Sequence, residues 1–330
     1  MLASRDGGAT WTASSPRWFV NGNQRFRTST ERLAIDPADP ARWWFGTQRE
    51  GLWTTADAGA TWRQVPLDQV PAGLGADPAD QQAGVSLVAT VGTTVVAGVA
   101  NAGVYRSDDG GASWRQALAL GEGDVPRSAT PAGADLLFTV GITGSGAGQP
   151  RLVRLPMGGG PVTDLTVPAS SWTWEVAADP FDPQHLVATD EAVRDGHLWT
   201  SEDGGLRWRS HDVELDTTAV PWLGATDLES YMTAGRLVFD PGVRGRVWFA
   251  EGMGVWRSDD LCGDTVTWEA VARGIEETVV SSILVPEGGL PVVTVADRQG
   301  FLVEDLERYP AATLVDERFA SGTSVAASAA

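Results

Sequence analysis

Apolar residues come in short bursts along the whole chain, and each burst is cut off by Pro, Gly or Asp. Three stretches show the same order of events: LAIDPADPARWWFGTQREGLWTTADAGATW (33–62), VAADPFDPQHLVATDEAVRDGHLWTSEDGGLRW (176–208) and LVFDPGVRGRVWFAEGMGVWRSDD (237–260). Each has an apolar strand, an Asp-Pro turn, and a second apolar strand ending near Gly or Ala. A variable loop follows, then a short strand ending in Trp or Tyr, an acidic turn, and a strand opening with Trp. β-branched and aromatic runs bounded by turn residues predict strands. No segment carries a sustained 3.6-residue period, so no long helix is expected.

The acidic turn recurs most plainly. SRDGGATW (4–11), TADAGATW (55–62), SDDGGASW (107–114) and SEDGGLRW (201–208) share the spacing Ser/Thr-x-Asp-x-Gly-x-x-Trp, and SDDLCGDTVTW (258–268) is a stretched copy. Their aspartates, Asp6, Asp57, Asp109, Asp203 and Asp260, lie 51, 52, 94 and 57 residues apart. The interval of 94 fits two units of 47, one of which has lost its turn. That unit is expected to hold strands around LLFTVGI (136–142) and RLVRLPM (151–157). Four short strands in a unit of roughly 40 to 50 residues predict the blades of a β-propeller.

The turn reads as structural. A short aspartate accepts hydrogen bonds from backbone N–H groups, expected two residues on, and glycine supplies the positive φ. The closing Trp lays a large apolar face between neighbouring sheets. An aspartate repeated five times by symmetry cannot be five catalytic groups around one site.

The variable loop is different. In GTQREG (46–51), GVANAG (98–103), AEGMG (250–254) and VADRQG (295–300), the residue three places before the final glycine is Gln48, Ala100, Glu251 and Asp297. One position varying within a repeating frame suits a binding face, and it also suits an exposed loop. Glu251 and Asp297 are the candidate catalytic carboxylates. Gln48, Arg49 and Arg298, on the same loops, are candidate ligand contacts. Trp222 and Tyr231, on the connection PWLGATDLESY (221–231), are candidate sugar-stacking aromatics or core residues.

Composition narrows the partners. A formal charge of −19, from 43 acidic and 24 basic residues, opposes binding to phosphate backbones, so nucleic acid is not expected. No apolar run approaches the ~20 residues a membrane helix needs. One cysteine, Cys262, and three scattered histidines, His185, His197 and His211, leave no ligand set for a metal, and nothing calls for a cofactor. MLASRDGG has no basic region leading into an apolar stretch, so it does not read as a signal peptide.

The acidic turn is the pattern called the Asp-box or BNR repeat. The order of segments from 29 to 330 resembles the N-terminal propeller of the family-74 glycoside hydrolases, the xyloglucanases. The pieces that carry it are ERLAIDPADP (31–40), GLWTTADAGATW (51–62), VAADPFDPQ (176–184), HLWTSEDGGLRW (197–208), RLVFDPGVRGRVWF (236–249) and above all RGIEETVVSSILVPEGGLPVVTVADRQGF (273–301). The resemblance implies an all-β propeller of about six to seven four-stranded blades, not necessarily fully closed. It occupies 1–315 as one domain, with a small-residue tail or cut strand at 316–330. It further implies a secreted, inverting hydrolase acting on a β-glucan such as xyloglucan, with Asp297 in the place of the family's proposed general acid.

Two departures matter. The family's second catalytic aspartate sits in a D-x-G-G segment ahead of the first acidic turn, where this chain begins, and the chain is expected to be cut within a blade at both ends. Arg298 beside Asp297 favours an ionised carboxylate, which suits a base or a binder more than an acid. A non-catalytic propeller binding carbohydrate or protein is therefore the alternative. A sialidase fits poorly, because it needs an arginine cluster and a tyrosine nucleophile and only Tyr105, Tyr231 and Tyr309 are present.

Overall fold

The computed structural model describes residues 2–13, 18, 31–74, 83–142, 150–166, 175–190, 197–224, 235–252, 254–274, 278–296, 298–314 and 322–326. Asp297 and Tyr231 lie outside the described residues. Contacts divide the chain into two compact units, Met1–Asp190 with Ser201–Trp208, and Glu191–Thr200 with Arg209–Ala330.

The first unit is built of antiparallel meanders, with sheet order equal to chain order. A hairpin pairs β1 (Leu2–Ala3) with β2 (Thr12–Ala13). Three four-stranded sheets follow. The first holds β3 (Leu33–Ile35), β4 (Trp43–Gly46), β5 (Leu52–Thr55) and β6 (Arg63–Gln64). The second holds β7 (Val85–Val91), β8 (Thr94–Val99), β9 (Gly103–Ser107) and β10 (Arg115–Ala119). The third holds β11 (Asp124–Ala132), β12 (Asp135–Ile142), β13 (Arg151–Pro156) and β14 (Thr163–Leu165). This third sheet is the unit that has no acidic turn, and both of its expected strands are present. β15 (Glu175–Asp179) and β16 (Asp182–Thr189) form a further antiparallel pair.

These sheets stack face to face. Trp44, Leu52 and Val65 of the first sheet pack with Val85, Val88, Val95, Ala97 and Val99 of the second. Leu87, Ala89, Val96 and Val104, from the other face of the second, pack with Leu136, Phe138, Val140 and Val153. Leu137 and Leu152 meet Val176, Ala178 and Leu186 of the next pair. A middle sheet is thus buried on both faces, which is why β7, β8 and β12 read as continuous apolar runs rather than alternating ones.

Two glycines let the stacking close. A Cβ on Gly46, at the end of β4, would stand 2.3 Å from the backbone oxygen of Val85. A Cβ on Gly98 would stand 2.6 Å from Pro126 Cβ and 2.8 Å from Leu87 Cβ. In these two sheets the small residue near the end of the second strand is therefore a packing requirement between neighbours.

The second unit contains β17 (Leu198–Ser201), β18 (Arg209–Asp216), the short helix α1 (Pro221–Gly224), and the meander β19 (Arg236–Phe239), β20 (Val247–Glu251), β21 (Gly254–Ser258) and β22 (Thr265–Ala270). Three more strands, β23 (Val280–Leu284), β24 (Val292–Val295) and β25 (Phe301–Leu302), form a separate sheet. The core of the β19–β22 meander is aromatic. Phe249 stacks on Trp256 at 6.0 Å and meets Trp268 edge-on at 4.7 Å. The outer strands β18 and β22 pair in parallel, from Asp212↔Thr265 to Asp216↔Glu269. No helix among the described residues is long and apolar enough to cross a membrane.

Candidate functional site

Alternate hairpins of a meander lie at opposite ends of its sheet, which separates the two recurring features of this chain. The acidic turns join the third strand of a sheet to the fourth, as at β5–β6, β9–β10 and β21–β22. The variable loops join the second to the third, at β4–β5, β8–β9, β20–β21 and β24–β25. The first two sheets and the β19–β22 meander thus carry the staple at one end and the candidate loop at the other.

The staple has a fixed geometry. Thr55 donates its hydroxyl to Asp57 Oδ1 at 2.7 Å, and Thr61 donates its N–H at 2.8 Å and its hydroxyl at 2.5 Å to the same carboxylate. Gly59 N–H donates back to the Thr55 hydroxyl, and the Trp62 indole N–H to the Gly59 carbonyl. The same pattern holds Asp6 with Ser4 and Thr10, Asp109 with Ser107 and Ser113, and Asp203 with Ser201 and the Arg207 N–H. The backbone N–H reached by the aspartate is four residues on, not the expected two, because the Ser or Thr hydroxyl occupies the near side. Only the stretched copy makes the shorter bond, from Cys262 N–H to Asp260.

Donors converging on an exposed carboxylate favour its charged form. Asp57 is held down to about 2, first by the Thr55 hydroxyl. Asp6 and Asp109 are likewise held at about 2, led by the hydroxyls of Thr10 and Ser113. Asp203 is lowered chiefly by the Arg207 N–H. Groups saturated in this way within their own turns are poor general acids.

The candidate loops are tight. In the first, Thr47 N–H and hydroxyl both donate to the Gly51 carbonyl, and Glu50 N–H donates to the Thr47 hydroxyl. Gln48 is 2% exposed, whereas Arg49 is open to solvent. In the second, Ala100 is fully buried and Asn101 takes a φ of +61°, with its side-chain oxygen accepting Gly123 N–H at 2.8 Å. Gln48, Arg49 and these residues belong to the first unit.

Glu251, Trp222 and Arg298 belong to the second. Glu251 ends β20, pairs in register with Gly254, is half-buried, and accepts the Trp256 indole N–H at 3.3 Å. Arg298 and Gln299 are buried at 3% and 9% exposure. The Arg298 carbonyl accepts Gly322 N–H at 3.0 Å, which ties the loop to the segment that follows β25.

Trp222 is 2% exposed and lies edge-on to Phe301 at 5.3 Å. Its ring is a wall of a cavity of about 440 Å³ shared with Gly274, Thr278, Tyr309 and Pro310, in which Tyr309 accepts the Gly274 N–H at 2.9 Å. A face so covered does not offer itself as a flat stacking platform. A second cavity of about 600 Å³, lined by Arg273, Arg308 and again Tyr309, adjoins it. Phe301, Tyr309 and Arg273 are not among the candidate site residues the sequence offers; the position of Phe301, directly after the candidate loop, is the signal for it.

His211, at 1% exposure, lies 2.7 Å from the Thr200 hydroxyl and 2.8 Å from the Gly263 carbonyl, and burial pushes its pKa down. Among the described residues no three His, Cys, Asp or Glu side chains are grouped to hold a metal ion.

No family model matches the chain. It is 30% identical to a xyloglucanase of Acetivibrio thermocellus over 98% of its own length and 45% of that protein. It is 27% identical to a xyloglucanase of a Paenibacillus species over 98% of its own length and 37% of that protein. Its structure superposes with a TM-score of 0.82 on the GH74 xyloglucanase from Xanthomonas campestris, at 26% identity, covering 96% of this chain and 49% of that one. The GH74 enzyme of Niastella koreensis gives a TM-score of 0.81 at 24% identity. The chain is thus homologous to family-74 xyloglucanases over nearly all of its length and shares their all-β propeller fold. It spans less than half the length of the relatives it matches.

Proposed function

We propose that this chain, homologous to xyloglucanases from one end to the other, is the Asp-box propeller of a glycoside hydrolase that cleaves a β-glucan such as xyloglucan, outside the cell, with inversion. The observation that carries the reading is likeness over 98% of the chain to proteins named for that substrate. It is supported by the first two sheets and the β19–β22 meander, in which the variable loop lies at the end opposite the acidic turn.

In this reading Asp297 works on one side of the scissile bond, and inversion requires a second carboxylate about 6.5 to 9.5 Å away with room for a water between them. Glu251, half-buried and held by an indole N–H, is the partner this chain offers. Arg298 and Tyr231, in the same unit, contribute to sugar binding.

Reducing-sugar release from xyloglucan measures the activity. Asp297→Ala is expected to remove at least 99% of it, since general acid–base catalysis contributes about 10²–10⁴-fold. Glu251→Gln is expected to cost a similar factor if it is the second carboxylate. Activity undiminished by Asp297→Ala would overturn the assignment.

A second reading keeps the propeller and removes the chemistry, since Arg298 beside Asp297 favours an ionised carboxylate that suits a binder more than an acid. In it, the propeller binds glucan without cleaving it. Retention on xyloglucan with no sugar release, unchanged by Asp297→Ala, would select that reading.

A further inference from the structure

Between the acidic turns of the first two sheets of the first unit lies a groove of about 450 Å³, at the end of the sheets away from the variable loops. Its volume falls within the roughly 300 to 1,000 Å³ of small-ligand sites. Arg42, Trp44, Trp62 and Arg63 line it from the first sheet, and Gly110 and Gly111 from the second.

The hydrogen-bonding groups of the groove are unevenly used. The hydroxyls of Thr54, Thr55 and Thr61 donate away from it, to Trp43 O and to Asp57. The Asp109 carboxylate accepts the Ser107 and Ser113 hydroxyls and the Ser113 N–H within its own turn. What remains is a set of donors. Most of the Trp44 ring is covered, and its indole nitrogen stands at the groove wall beside Gly111. A Cβ on Gly111 would come 2.9 Å from that nitrogen, so the glycine keeps the donor's edge uncovered. Arg63 makes no ion pair among the described residues, while Arg42 donates to the Gly110 carbonyl at 3.4 Å and stands 3.8 Å from Asp39.

An indole N–H donates and cannot accept, so at the groove wall it favours a ligand that brings an acceptor. Two guanidiniums beside it select an acceptor that carries negative charge and has two oxygens. The half-buried Trp62 ring borders the same space and offers an apolar edge against which the C–H face of a sugar can lie.

We infer that this groove is a binding site for a carboxylate-bearing sugar, with Arg63 and Arg42 taking the carboxylate and the Trp44 N–H donating to an adjacent ligand oxygen. It is separate from the variable loops and does not rest on the hydrolase reading. It places a local demand for negative charge on a chain whose net charge is −19, so binding needs the specific geometry and is weakened by salt.

Calorimetric titration of the whole chain with a galacturonic acid trisaccharide tests it, beside a neutral cellotriose and sodium sulfate. The acidic trisaccharide is expected to bind at least tenfold tighter than either comparison. Arg63→Gln, at an exposed position that leaves the fold unchanged, is expected to weaken it about tenfold, which corresponds to ~1.4 kcal/mol. Trp44→Phe, which keeps the ring and removes the N–H, should also weaken it; should that variant unfold, the Arg63→Gln result decides. Equal binding of the neutral sugar, equal binding of sulfate, an unchanged affinity in Arg63→Gln, or no binding to wild type would each overturn the inference.

Discussion

Thr61 closes the turn that Asp57 opens, giving the carboxylate its N–H at 2.8 Å and its hydroxyl at 2.5 Å. These bonds are strongest with the carboxylate ionised and form only with the hairpin, so they couple the charge to folding.

Asp6, Asp57 and Asp109 are held at about 2 in the folded chain, against about 3.9 for an unperturbed aspartate. A folded pKa below the unfolded one gives stability that is present above pH ~4 and lost as pH falls toward 2. The denaturation midpoint is therefore expected to fall across that window. Asp57→Asn should flatten the dependence while leaving the other two contributions. Full solvent exposure of these groups keeps the effect small and makes it shrink in high salt.

One turn carries avoidable strain. Ala58 sits at φ +55°, where its counterparts are Gly7, Gly110 and Gly204 at +70°, +68° and +67°. A left-handed conformation costs an L-residue about 1–2 kcal/mol, and glycine's extra entropy returns about 0.5–1 of that. Ala58→Gly is expected to stabilise by up to ~1 kcal/mol, read as a higher midpoint in urea with an unchanged slope.

Gly46→Ala should do the opposite. The added methyl meets the Val85 backbone oxygen, which cannot rotate aside. Overpacking of this kind costs about 1–3 kcal/mol. Gly92→Ala, where nothing lies within 4 Å but φ is +58°, separates strain of conformation from strain of contact.

Phe138 and Leu137 are neighbours on β12, both 0% exposed, and they face different cores. Truncation to Ala should cost about 3–5 kcal/mol for Phe138 and about 2–5 for Leu137. In a sheet with one wet face only one of the two would matter, so thermal unfolding of the pair tests the stacking directly.

The repeating strands, the turn chemistry and the missing staple, fourth of six, around 136–157 were legible because each is encoded by a few consecutive residues. Gly46 and Gly98 were visible as small strand ends, but their reason lay in Val85 and Pro126, on another sheet. The reach of Asp57 to Thr61 rather than to Gly59 was hidden because the Thr55 hydroxyl competes for the nearer N–H. Trp222 read equally as ligand platform or core, and its contact with Phe301, nearly 80 residues on, is what makes it a wall. The donor-lined groove had no local signature at all. It arises where two copies of one turn meet, and periodicity says only that they repeat.

The parallel ladder between Asp212–Asp216 and Thr265–Glu269 has a bearing on solubility. An outermost strand normally leaves a row of N–H and C=O groups on which a foreign chain can crystallise into cross-β growth. Here two such flanks quench one another, and Asp212, Glu214, Asp216 and Glu269 line the seam with like charge that repels any newcomer. Conditions that part the two strands would bare both edges together.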